Sequence, residues 1–170
     1  MSEIEEFKTW RVSQRAGSGG HGLDCAKIDP KLRQSIMDFF NSSKRFFNAY
    51  LGLRLVDLKR GYSKLEVENV EDLCQPAMVM HGGASFGMAD AAVAMALLSI
   101  YGPGRLMLTI EMKINYLEPI PLGLVVAEAY ALRASKRSAY AEVDIWSAGR
   151  LAARATSTYM IRDRPDQKTA

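Results

Sequence analysis

Cysteine and histidine are scarce in this 170-residue chain, with two of each. Cys25 and Cys74 have neither metal-ligand spacing nor the density of a disulfide scaffold. That argues against a stapled secreted domain or a zinc module, and for free thiols in a reducing compartment, the cytoplasm. Excess charge is missing too: 22 basic against 19 acidic residues leave a net charge of +3. The charges are dispersed, with no aromatic-interleaved basic stripe, so a small anionic ligand is expected and a nucleic-acid partner is not. The opening MSEIEEFKTW is acidic and lacks an apolar signal core, so export is not expected. The longest apolar run, 83–101, is broken by Asp90 and rich in glycine and alanine, which suits a core helix and not a membrane span.

With 48% hydrophobic residues, the chain has the length and composition of one globular domain with a real core. RAGSGGHG at 15–22, which includes His21, predicts a flexible arm. A helix is expected from Asp29-Pro30, with Asp29 as cap and Leu32, Ile36, Phe39 and Phe40 at helical spacing, ending near Ser42-Ser43. Phe46, Phe47 and Tyr50 lead into LGLRLVDL at 51–58, which with YSKLEVENV predicts a β-hairpin. After the apolar helix, Gly102-Pro103-Gly104 stops the chain. Four strand-like runs follow at 106–117, 124–132, 139–147 and 151–161, expected as a meander. In the first of them Leu108, Ile110, Met112, Ile114 and Tyr116 alternate with Thr109, Glu111, Lys113 and Asn115, predicting an apolar and a polar face. The tail RDRPDQKTA is expected to be disordered. A helix without a polar face must be enclosed, so the expected architecture is an antiparallel sheet wrapped around it.

That helix opens His81-Gly82-Gly83, and from Gly83 onward Asp90 is its only ionisable residue before the terminal Tyr101. Burying an unpaired carboxylate costs several kcal/mol, comparable to the whole stability margin of a domain. Asp90 must therefore be paired, neutralised or used.

HGGASFGMAD at 81–90, TIEMKINYLEPIPLG at 109–123 and AYAEVDIWSAGRLAARATSTYM at 139–160 resemble the hotdog-fold acyl-CoA thioesterases, in the branch that includes the phenylacetate-pathway and 4-hydroxybenzoyl-CoA thioesterases. The resemblance covers roughly residues 50–162. It implies an α+β hotdog fold, here with an extra N-terminal helix: an arm and helix at 1–45, the thioesterase domain at 46–162 and the tail at 163–170. It implies hydrolysis of an acyl-CoA to a carboxylic acid and CoA, with Asp90 as nucleophile or general base and the Gly82 N–H polarising the thioester carbonyl. A helix N-terminus suits that second task, since its free N–H groups and positive dipole end stabilise an oxyanion. Gln75 stands where the family often has Asn or Gln, to hold the lytic water or the carbonyl, and Thr109 matches a hydroxyl beside the carboxylate. His81 and Gly83 are implied as ligand-positioning residues. Arg133, Lys136 and Arg137 carry charges suited to the CoA phosphates. No metal is implied, and no cofactor beyond the coenzyme A of the substrate.

Gly82 and Asp90 are eight residues apart, about 12 Å along one helix, too far to share one carbonyl. Two such helices side by side in opposite directions would place Gly82 of one chain against Asp90 of the other. A homodimer is therefore expected, or a dimer of dimers. A hotdog dehydratase or hydratase, resting on His81, and a non-catalytic acyl-CoA-binding module are the rival expectations.

Overall fold

The computed structural model describes residues 28–164, so the glycine-rich arm with His21, Cys25 and the tail beyond Arg164 lie outside the described residues. The elements in chain order are α1 (Pro30–Ser42), α2 (Phe46–Tyr50), β1 (Arg54–Lys59), β2 (Tyr62–Asn69), a 3-10 turn at Glu71–Leu73, α3 (Gly82–Tyr101), β3 (Arg105–Tyr116), β4 (Gly123–Ala134), β5 (Ser138–Ser147) and β6 (Arg150–Asp163). The six strands form one antiparallel sheet around α3, the expected α+β hotdog arrangement.

α3 is enclosed because its sequence offers water no polar face. Met88, Val93 and Leu97 are fully buried, and so are Ala89, Ala92 and Ala96. Facing them from the sheet are Leu65, Val125, Ala127, Ala129, Ala141, Val143, Ile145 and Ala153, all inaccessible to solvent. Alanine against alanine lets helix and sheet approach closely, while each fully buried Val, Leu or Met contributes roughly 1.5–3 kcal/mol. The helix ends at Gly102, whose φ of 70° and N–H bond to the Leu98 carbonyl (2.9 Å) form the terminating cap.

Strand order departs from the expected meander. β4, β5 and β6 follow one another, but the sheet runs β1-β2-β4-β5-β6-β3, so β3 lies on the far side of β6 and β4 joins β2. A tight β3–β4 hairpin is not available to Leu117-Glu118-Pro119-Ile120-Pro121-Leu122, which lacks the residues such turns demand and contains two prolines. The connection crosses instead to β2, where Asn69 Nδ2 donates to the Pro121 carbonyl (2.9 Å) and the Met80 N–H donates to the Ile120 carbonyl (2.8 Å).

The N-terminal helix forms as expected, with Pro30 in its first turn and the Asp29 carboxylate accepting from the Leu32 N–H at 2.8 Å. Ile36 and Phe40 face the core. Asn41 pairs both its amide atoms with the backbone of Leu55, each bond 2.9 Å, covering the outer edge of β1. Two local differences appear. Phe46–Tyr50 is a short helix, and β1 begins only at Arg54. β6 continues to Asp163, which pairs with Arg105 at 3.0 Å, so Arg162 and Asp163, the first residues of RDRPDQKTA, are strand and not tail.

The far end of α3 is tied to the β1–β2 turn by Ser99, whose Oγ accepts from the Gly61 N–H (2.8 Å) and donates to the Ala96 carbonyl (2.6 Å). Ser99→Ala would leave the Gly61 N–H without its buried acceptor, a cost of about 1–3 kcal/mol. A lower thermal unfolding midpoint is the expected result.

Candidate active site

α3 begins where an extended residue meets a helix. His81 (φ −63°, ψ 135°) is the N-cap, and its Nδ1 accepts from the Gly83 N–H at 2.9 Å. That bond places the imidazole proton on Nε2. The Ala84 N–H goes to the His81 carbonyl (2.9 Å). Of these first N–H groups, that of Gly82 has no acceptor among the described residues. Gly83, expected beside the ligand, already directs its own N–H to His81.

Gly82 opens onto a cleft of about 560 Å³ lined by Gln75, His81, Gly82, Ser85, Tyr116 and Ile120, among others. The Gln75 side-chain oxygen accepts from the Ala77 N–H (3.3 Å), which leaves its amide nitrogen as the donor for a ligand. Tyr116 donates to the Gly82 carbonyl at 2.9 Å, and a Cβ at Gly82 would come within 3.2 Å of that hydroxyl. Tyr116 is half exposed, and partial desolvation raises its phenol above its ordinary pKa.

Asp90 lies two turns further along. Its Oδ1 accepts from Thr109 Oγ1 at 2.7 Å and from the Tyr159 hydroxyl at 2.5 Å, and the same hydroxyl lies 3.0 Å from the Asp90 carbonyl. Tyr159 is only 2% exposed. Burial first, and then the neighbouring carboxylate, raises its phenol far above the ordinary range, so Tyr159 stays protonated.

Thr109 reaches Asp90 because of a defect in the ladder. Thr109 pairs with Tyr159, but Glu111 pairs with Thr158, so Ile110 is an extra residue, a β-bulge. In a regular strand Thr109 would share the outward face of Glu111, Lys113 and Asn115, as the alternation predicted. The bulge reverses the alternation at that point. Thr109 turns inward, while Met112 and Ile114 keep their places against the core and Ile110 is 61% exposed.

The structure thus assembles Gln75, His81 and Gly82 around one cleft and Asp90 with Thr109 at a second point on the same helix. Arg133, Lys136 and Arg137 are exposed around the β4–β5 hairpin, beyond the other end of α3, where the Tyr101 hydroxyl donates to the Ser135 carbonyl (2.8 Å) and Arg105 to the Lys136 carbonyl (3.0 Å). Two residues were missed by sequence reasoning, Tyr159 and Tyr116. Each is a tyrosine in an alternating strand, and alternation says which face it takes but not what stands opposite. Among the described residues no three His, Cys, Asp or Glu side chains gather as a metal-ligand set. α3 is long and apolar enough to cross a membrane by composition alone, but it is the core helix of this fold.

The thioesterase superfamily model matches residues 78–153, a span holding Gly82 of the cleft together with Asp90 and Thr109. A putative esterase of Archaeoglobus fulgidus is 32% identical over 110 residues, covering 64% of this chain and 69% of its own. The 1,4-dihydroxy-2-naphthoyl-CoA hydrolase of Listeria monocytogenes is 27% identical over 95 residues, 56% of this chain and 77% of its own. Among solved structures, a conserved protein of Pseudomonas aeruginosa is 30% identical with a TM-score of 0.67, over 69% of this chain and 94% of that one. A mutant of the phenylacetic acid degradation protein PaaI from Thermus thermophilus is also 30% identical, with a TM-score of 0.62, over 67% and 96%.

Proposed function

Because this chain belongs to the thioesterase superfamily, we propose that it is a cytoplasmic acyl-CoA thioesterase acting as a homodimer, with Asp90 and Gly82 of different chains serving one thioester. The observation that carries this is the carboxylate of Asp90: it sits in an otherwise apolar helix, and Thr109 and Tyr159 both hold its Oδ1. Its Oδ2 accepts from no donor among the described residues, and the side chain is only partly buried, so that oxygen is open to a substrate or a water. Nucleophilic or general-base chemistry needs such an oxygen.

β3 supports the dimer. It ends the sheet with its outer edge unpaired among the described residues, and it exposes Leu108 (40%) and Ile110 (61%). An edge of that kind favours pairing with a second copy. Thr109, near one end of the strand, holds Asp90, and Tyr116, at the other end, holds Gly82. Antiparallel pairing of two β3 strands about a two-fold near Met112 would set Thr109 and Asp90 of one copy opposite Tyr116 and Gly82 of the second.

The thioester carbonyl oxygen would accept from the Gly82 N–H at the positive end of α3. Asp90 then either attacks the carbonyl carbon or takes a proton from a water that attacks it. The C=O π pair moves to the oxygen, and on its return the C–S bond breaks with the electron pair leaving on sulfur. By the first route a mixed anhydride forms and water cleaves it. CoA thiolate is a good leaving group, so neither route needs a strong general acid. Gln75 would hold the water or the carbonyl, His81 would shape the cleft, and Arg133, Lys136 and Arg137 would meet the CoA phosphates.

Thiol release from a panel of aromatic, short-chain and long-chain acyl-CoAs tests this. At least one should be hydrolysed, with the acid and free CoA formed in equal amounts. Binding of acyl-CoA with no thiol release would instead support a non-catalytic module, and hydration of an enoyl-CoA would support a hydratase.

A further inference from the structure

The hydrogen bonds around Asp90 carry a second conclusion, which rests on the thioesterase assignment. We propose that Tyr159 is a positioning residue for the reaction: with Thr109 it saturates Oδ1 of Asp90 and so reserves Oδ2 as the oxygen that meets the substrate carbonyl or the lytic water.

Thr109 and Tyr159 are cross-strand partners, directly opposite one another on β3 and β6, so their side chains reach the helix together. Both hydroxyls converge on the same carboxylate oxygen. The Tyr159 hydroxyl also lies 3.0 Å from the backbone carbonyl of Asp90, so one rigid phenol spans side chain and main chain of that residue and limits rotation of the carboxylate about its own stem. Oδ1 with two donors is a poorer nucleophile and base than an oxygen with none, because its lone pairs are engaged. Oδ2 accepts from no donor among the described residues and remains available. Full burial and the adjacent negative charge keep the phenol protonated, so Tyr159 orients and does not itself take a proton. Both chemical routes from Asp90 use the same oxygen, so the inference holds for either.

Tyr159→Phe keeps the ring and removes the hydroxyl. The expected result is a kcat about 10- to 100-fold lower with KM changed less than about two-fold, as for loss of alignment and not of substrate binding. Thr109→Val should act in the same direction, since it leaves Oδ1 one donor. In an Asp90→Asn background, Tyr159→Phe should lower the residual rate no further, because the residue it positions is already disabled. Unfolding midpoints and dimer size, measured alongside, identify any loss that arises from misfolding; if Tyr159→Phe misfolds, Thr109→Val and its own Asp90→Asn double variant carry the test.

A wild-type kcat in folded Tyr159→Phe overturns the inference and leaves the thioesterase assignment standing. An equal loss in the wild-type and Asp90→Asn backgrounds overturns it too, since Tyr159 would then act elsewhere. Full activity in Asp90→Asn alone is a different failure, that of the thioesterase mechanism itself.

Discussion

Asp90→Asn should lower kcat by about 10²- to 10⁴-fold, the range in which a positioned base or nucleophile contributes, while dimer size and unfolding temperature stay close to wild type. The substitution suits its purpose because the site is built from donors. The hydroxyls of Thr109 and Tyr159 both give their protons to Oδ1, and an asparagine oxygen in the same place accepts both. The second oxygen is replaced by an amide nitrogen that neither attacks a carbonyl nor takes a proton from water. Packing is unchanged in volume, and a half-buried charge is removed, so no loss of fold is expected. Steady-state kinetics with the best acyl-CoA, beside thermal unfolding, checks both halves. Near-wild-type turnover would remove Asp90 from the reaction.

Two inactive variants, mixed, should restore activity. Gly82→Pro deletes the N–H assigned to the oxyanion and suits the first position of a helix, where proline is favoured, at the cost of a small shift of the Tyr116 ring, whose hydroxyl the new Cβ would approach to 3.2 Å. His81 before it already has the extended conformation that a following proline requires. Its homodimers should lose about 10²- to 10³-fold in kcat, as for removal of one oxyanion donor. Unfolded and refolded with Asp90→Asn, the two chains form mixed dimers with one site complete and the other doubly impaired. Free assortment makes half the dimers mixed, so activity should recover to about a quarter of wild type. Recovery depends on the two residues coming from different chains. If each chain held its own complete site, every site in the mixture would carry one lesion and the rate would stay at the floor.

Much of the site was legible because of the kind of residue involved. A lone carboxylate in GASFGMADAAVAMALLSIY conflicts with its surroundings, and the conflict draws the eye to Asp90 whatever the fold. Gly82 was implied by the resemblance and suits a helix start, and the distance between it and Asp90 follows from helical rise. Thr109 was matched by resemblance but set on the wrong face by alternation, because one inserted residue, Ile110, reverses the parity of a strand without altering its composition. Tyr159 lies 69 residues from Asp90 in the chain. Nothing in its local pattern announces that contact, which needs β6 paired with β3 and β3 laid across α3.

The sequence by itself determined what local chemistry decides: where the two long helices start and stop, which segments alternate, which helix must be enclosed, and which charge needs a reason. Only the tertiary structure decided strand order, the inward turn of Thr109 and the clamp of Thr109 and Tyr159 on one oxygen of Asp90. Those depend on registers between distant strands, where a shift of one residue moves every side chain to the opposite face. Periodicity within a single strand contains no information about its neighbour.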